Sequence, residues 1–210
     1  MSVQWGMSPH PVTITSLNGA RDLLTSDRKT QFQAVVSIGH QVEGQGEEFP
    51  LGYREFGANG EQAKHRMNIG DIRFLEEGWE KWSKGYQPPM PPDIEALLEF
   101  FPSIQGPVLF HCFAGMSRSP AAALIYLAWA LGPDREAEAV ARLHEIKPRT
   151  TPNYLMVAYG DVLLRRGRRL YDAMSQRGGW DQYPELRTVY EQGKALVRGG
   201  EIPFFAKAPL

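Results

Sequence analysis

Residues 107–131 read PVLFHCFAGMSRSPAAALIYLAWAL, and their pattern decides the fold class. Pro107–His111 is a short, strongly apolar run and predicts a buried strand. Cys112–Ser117 forms a tight loop, and Arg118–Leu131 predicts a helix. From Ala121 to Leu131 that helix is apolar all round, the mark of an element buried on every side. It is also well short of the roughly 20 residues that span a bilayer. Gly132 and Pro133 end it.

Upstream, Val12–Thr15 is a short β-branched run, Leu17–Leu24 looks helical, and Ala34–Ile38 reads as a buried strand. A polar, Gly-rich loop covers 39–65, and Arg66–Ile72 has alternating, extended character. The Pro-rich piece at 87–92 predicts a stiff connector, and a helix starts at Pro92 or Asp93 and runs to Phe101. Downstream, Asp134 is placed to cap a helix that runs to Ile146 and stops before Pro148. A further helix spans Pro152–Arg166, and the cluster Arg165, Arg166, Arg168 and Arg169 is expected at its C-terminal end, facing water. After Gly178 the composition changes, and the tail holds one helix, Tyr183–Val197. Strands early, a strand–loop–helix in the middle and helices late predict an α/β fold: a central, mainly parallel sheet flanked by helices. Residues 1–178 form the main domain in this reading, with 179–210 an extension packed on it.

Composition narrows the function classes. The chain has 210 residues, 42% hydrophobic and 22% charged, which excludes a disordered or fibrous protein. Lys and Arg number 23 against 24 Asp and Glu, so no bulk attraction to nucleic acid or a membrane surface is implied. The N-terminus shows no secretory pattern, so a cytoplasmic protein is expected. The histidines at 10, 40, 65, 111 and 144 lack metal-ligand spacing, and no Gly-rich nucleotide loop is present. No metal or cofactor is therefore expected. Nothing in the sequence sets an oligomeric state. A single cysteine excludes an internal disulfide and a Cys-rich zinc cluster, leaving an inert thiol or a reactive one.

The surroundings of Cys112 favour reactivity. Backbone N–H groups of a short loop entering a helix turn inward, and the helix N-terminus adds partial positive charge. Together they make a nest for a phosphate-sized anion, built here from Phe113, Ala114, Gly115, Met116 and Ser117. Gly115 can take backbone angles closed to other residues. Arg118 can present two parallel N–H donors to an anion, which Lys cannot. A helix N-terminus and a nearby cation can lower a thiol's pKa to between about 3.5 and 7.5. Ser119 can donate a hydrogen bond to the sulfur, and Ser117 can brace the loop.

The run His111-Cys112-Phe113-Ala114-Gly115-Met116-Ser117-Arg118-Ser119 resembles the His-Cys-x5-Arg-Ser/Thr signature of the cysteine-dependent protein tyrosine phosphatase superfamily. Its Ala-Gly-x-Ser-Arg-Ser form is similar to the dual-specificity branch. The helix after it and Pro148–Asp161 resemble small bacterial tyrosine-phosphatase-like proteins, so the likeness covers roughly residues 10–175. The resemblance implies hydrolysis of phosphomonoesters through a phosphocysteine. The substrates implied are proteins carrying phosphotyrosine, alone or with phosphoserine and phosphothreonine, or small phosphate esters. The alternatives are a pseudophosphatase that binds phosphoproteins and a phosphatase for a non-protein phosphate. Lysines expected in the loop of a phosphoinositide phosphatase are missing.

The resemblance also implies an upstream aspartate as general acid. Asp71 follows an extended segment 41 residues before Cys112, while Asp93 is more simply a helix-entry charge; Glu76 and Glu77 are substitutes. His111 is expected to support the loop or to be a satisfied core histidine. Asn153 is expected to cap a helix or to brace the loop as well. Arg149 meets substrate or faces water.

Overall fold

The computed structural model describes residues 8–39, 52–53, 55–57, 62–77, 87–179, 183 and 185–204. Four segments form strands: β1 (Val12–Ser16), β2 (Ala34–Gly39), β3 (Ala63–Asn68) and β4 (Val108–Cys112). They pair in the order β1-β4-β2-β3, every neighbour parallel. The two inner strands, β4 and β2, are buried along their whole length, as expected for strands covered on both faces. Around them lie α1 (Leu17–Leu24), α2 (Pro91–Phe100), α3 (Arg118–Leu131), α4 (Glu136–Ile146), α5 (Tyr154–Leu163), α6 (Arg169–Arg177) and α7 (Glu185–Arg198). The chain is thus an α/β protein with an all-parallel sheet.

Strand alternation divides the core in two. Ala34, Val36 and Ile38 of β2 and Val108, Phe110 and Cys112 of β4 face the main core beneath α3. Val35 and Leu109 face the other way, against Ala20, Leu23, Leu24, Phe32, Tyr53 and Phe56. All of α3 is buried, so each residue from Arg118 to Leu131 contributes to packing. Its Ile125 lies so close to α5 that a Cβ on Gly160 would stand 2.6 Å from the Ile125 side chain.

Several boundaries differ from the sequence expectation. The third strand is 63–68, not 66–72, and it begins inside the stretch read as a loop. As an edge strand it buries only Met67, so its alternation is weak. The rest of the 39–65 loop lies largely outside the described residues. Asp134 does not cap α4: it has φ 65°, is exposed, and approaches Arg169 at 3.3 Å, while α4 starts at Glu136. α5 stops at Leu163 because Arg165 turns to φ 57°. Then α6, absent from the sequence reading, begins at Arg169. Arg166 was expected in solvent and is 1% exposed. It donates to the Ala128 carbonyl at 2.7 Å and lies 3.7 Å from Glu136. Arg165 and Arg169 do face solvent.

Candidate active site

The loop from β4 to α3 closes around one sulfur. Cys112 is 2% exposed, and its Sγ accepts hydrogen bonds from the Gly115 N–H at 3.3 Å and the Ser119 hydroxyl at 3.2 Å. Gly115 makes this possible with φ 72°. A Cβ there would stand 2.6–2.8 Å from the backbone of Thr15 and Ser16. The end of β1 thus lies directly against the loop, and the Leu17 N–H donates to the Phe113 carbonyl at 3.0 Å. Phe113, Ala114 and Met116 are on the outer surface of the loop, whereas Gly115 and Ser117 are buried.

Arg118 opens α3 and is 5% exposed. Its Nη1 donates to the Ile69 carbonyl at 2.8 Å, while its Nε is buried with no hydrogen-bond partner among the described residues. One edge of the guanidinium is therefore anchored and another donor is unspent. A buried unspent donor is costly, which makes it a good partner for an incoming anion.

Asp71 comes to the same loop from the segment after β3. Its Oδ1 accepts from the Ser117 hydroxyl at 2.6 Å and from Asn153 Nδ2 at 3.0 Å. Its other oxygen lies 3.7 Å from Arg73. Asp93, the alternative, is spent at the start of α2, where its carboxylate accepts from the Met90 N–H at 2.8 Å. Burial pushes the Asp93 carboxyl above its ordinary range. Glu76 and Glu77 are exposed.

Asn153 has two duties. Its Oδ1 caps α5 through the Met156 N–H at 3.1 Å, and its Nδ2 also reaches the Ile72 carbonyl at 3.0 Å. The residues before it hold the loop from outside: Thr151 N–H donates to the Met116 carbonyl at 2.9 Å, and Thr150 Oγ1 to the same carbonyl at 3.1 Å. The sequence reading did not pick out Thr150, Thr151, Arg73 or the Ile69 carbonyl. In that part of the chain it marked Arg149, which is exposed, and Pro152-Asn153.

His111 is fully buried, and neither ring nitrogen has a hydrogen-bond partner among the described residues. Burial first, then the positive charge of Arg66, pushes its pKa down to about 3; Arg118 adds to this and the nearby Cys112 backbone opposes it. The ring is neutral at ordinary pH. Among the described residues no cluster of three or more His, Cys, Asp or Glu could hold a metal, and no helix is long and apolar enough to cross a membrane.

No protein-family model matches the chain, and no curated protein matches it. Some solved structures are similar. PTPMT1 in complex with PI(5)P is 14% identical, over 80% of this chain and 95% of that one, with TM-score 0.46. Tk-PTP in the active form is 19% identical, over 76% and 93%, with TM-score 0.48. The Yvh1 phosphatase domain from Chaetomium thermophilum is 16% identical, over 78% and 95%, with TM-score 0.45.

Proposed function

We propose that this protein hydrolyses phosphomonoesters through a phosphocysteine, acting on phosphotyrosine, or on phosphotyrosine, phosphoserine and phosphothreonine, in proteins. One observation carries the reading: the Cys112 sulfur accepts two hydrogen bonds inside a loop at a buried helix N-terminus, with Asp71 hydrogen-bonded to that same loop. In this reading the Cys112 thiolate attacks phosphorus and a P–S bond forms as the P–O bond to the leaving group breaks. Arg118 and the amides of 113–117 hold the three equatorial oxygens, and Asp71 gives its proton to the departing oxygen. Asp71 then takes a proton from water, whose oxygen attacks phosphorus and releases phosphate and thiolate. Ser119 steadies the sulfur as it leaves. Asn153 supports the loop and Asp71.

The exposed Phe113 and Met116 offer an apolar rim that suits an aryl or peptide substrate, and the loop carries no lysine for a polyphosphate headgroup. The chemistry calls for no metal or cofactor, and it needs a reduced thiol, which the cytoplasm maintains. The test is phosphate release from an aryl phosphate in EDTA, with and without vanadate. Wild type is expected to turn over and be blocked by vanadate, and Cys112→Ser to lose nearly all turnover. Full turnover in Cys112→Ser overturns the mechanism. A wild-type protein that binds phosphopeptides without cleaving them is a pseudophosphatase.

A further inference from the structure

α7 lies in the tail that the sequence set apart, yet it reaches the segment that carries Asp71. Gln192 of α7 is fully buried, and its carboxamide lies against the backbone of Leu75, itself fully buried. The Leu75 N–H donates to Gln192 Oε1 at 3.0 Å, and Gln192 Nε2 donates to the Leu75 carbonyl at 2.7 Å. The second hydrogen on Nε2 goes to the Pro203 carbonyl at 2.9 Å. A side chain here makes the paired contact that a neighbouring strand would make, and its donors are fully used. A glutamine serving only to fill space at a dry site would be costly beside an apolar residue of its size.

Asn153 makes a second attachment upstream, at Asp71 and the Ile72 carbonyl. The two anchoring helices are themselves joined. Gly193 lets α7 approach α5 so closely that a Cβ would stand 2.7 Å from the Ala158 Cβ, and the Tyr190 hydroxyl donates to Asp161 at 3.0 Å. The segment 71–75 is therefore fastened at both ends to one closely packed pair of helices. We propose that Gln192 is a positioning residue for Asp71: by fixing Leu75 it holds the carboxyl where it delivers its proton, so the C-terminal tail sets the efficiency of leaving-group protonation. This rests on the phosphatase reading above.

The test compares two esters. Phenyl phosphate needs a proton on its departing oxygen, whereas 2,4-dinitrophenyl phosphate releases a stable anion. Gln192→Met keeps length and apolar volume but makes none of the three hydrogen bonds. It is expected to lower kcat/KM for phenyl phosphate roughly tenfold, a part of the 10²–10⁴ that proton transfer supplies, and to change the dinitrophenyl value less than twofold. Asp71→Asn should show the same selectivity more strongly, and adding Gln192→Met to it should cost nothing further. Equal losses on both esters, or additive losses in the double variant, overturn the proposal. Should Gln192→Met fail to fold, hydrogen exchange at the Leu75 amide of wild type decides: a protected amide supports the clamp and an unprotected one refutes it. A wild-type protein inert toward both esters overturns the phosphatase reading itself, and this role with it.

Discussion

At Gly115 a single missing methyl group decides whether the loop can form. Two requirements coincide there: φ of 72° and no room for a Cβ against the backbone of β1. The obstacle is strand backbone rather than the end of a flexible side chain, so it cannot swing away. The same residue's N–H points at the Cys112 sulfur. Gly115→Ala must therefore move either the loop or β1, at about 1–2 kcal/mol for the left-handed backbone alone. Displacing reacting groups by about 1 Å can cost about 100-fold. The expected outcome is a fall in kcat/KM of about that size with a modest drop in thermal midpoint. Wild-type kinetics in Gly115→Ala would show that the loop tolerates rearrangement.

Among the elements, α5 does most to join the molecule. Its first turn is capped by Asn153, which accepts from the Met156 N–H and also holds Asp71. Near its other end the Asp161 carboxylate accepts from the N–H groups of Arg168, Leu170 and Tyr171 and from the Tyr190 hydroxyl, at 2.7–3.2 Å. Asp161 thus caps α6 across a turn, in place of Arg168, whose side chain caps nothing. Burial pushes the Asp161 carboxyl up, and these four donors pull it back. Asp161→Ala leaves all four unpaired. At about 1 kcal/mol each, a loss of about 3–4 kcal/mol is expected, and a fall in Tm of about 10 °C. Thermal unfolding checks it, and a shift under 3 °C would mean that water replaces the carboxylate. Because this cap is seven or more residues from the N–H groups it serves, no local signal announced α6.

Across the whole molecule, the pH dependence of stability carries the mark of His111. Its folded pKa of about 3 lies well below the ordinary value of 6.5. Below pH 6.5 the unfolded chain takes up a proton that the folded protein refuses, so stability falls as pH drops from 6.5 toward 3. The contribution approaches about 1.4 kcal/mol per pH unit. Urea unfolding at pH 7.5 and 5.5 should show a steeper loss for wild type than for His111→Asn, since other titrating groups are common to both. Identical slopes would mean that the imidazole gains a proton in the folded state.

The sequence by itself determined the strand–loop–helix around Cys112, because an apolar run, a glycine-bearing turn and an all-apolar helix are local patterns. It also marked Asp93 as a helix-entry charge, since Pro at a helix start followed by an acid is a local cap signal. Tertiary structure decided the remainder. The edge strand β3 shows little alternation because it buries one side chain, and α6 depends on a carboxylate from another helix. Arg166 is buried because Glu136 and the Ala128 carbonyl meet it, a circumstance absent from the run of arginines around it. The setting of the single cysteine, at a strand end before a glycine-bearing loop and a helix start, was legible from its neighbours in the chain. What fastens the segment around Asp71, a glutamine 117 residues beyond the leucine it holds, could emerge only when the tail folded back over the sheet's helices.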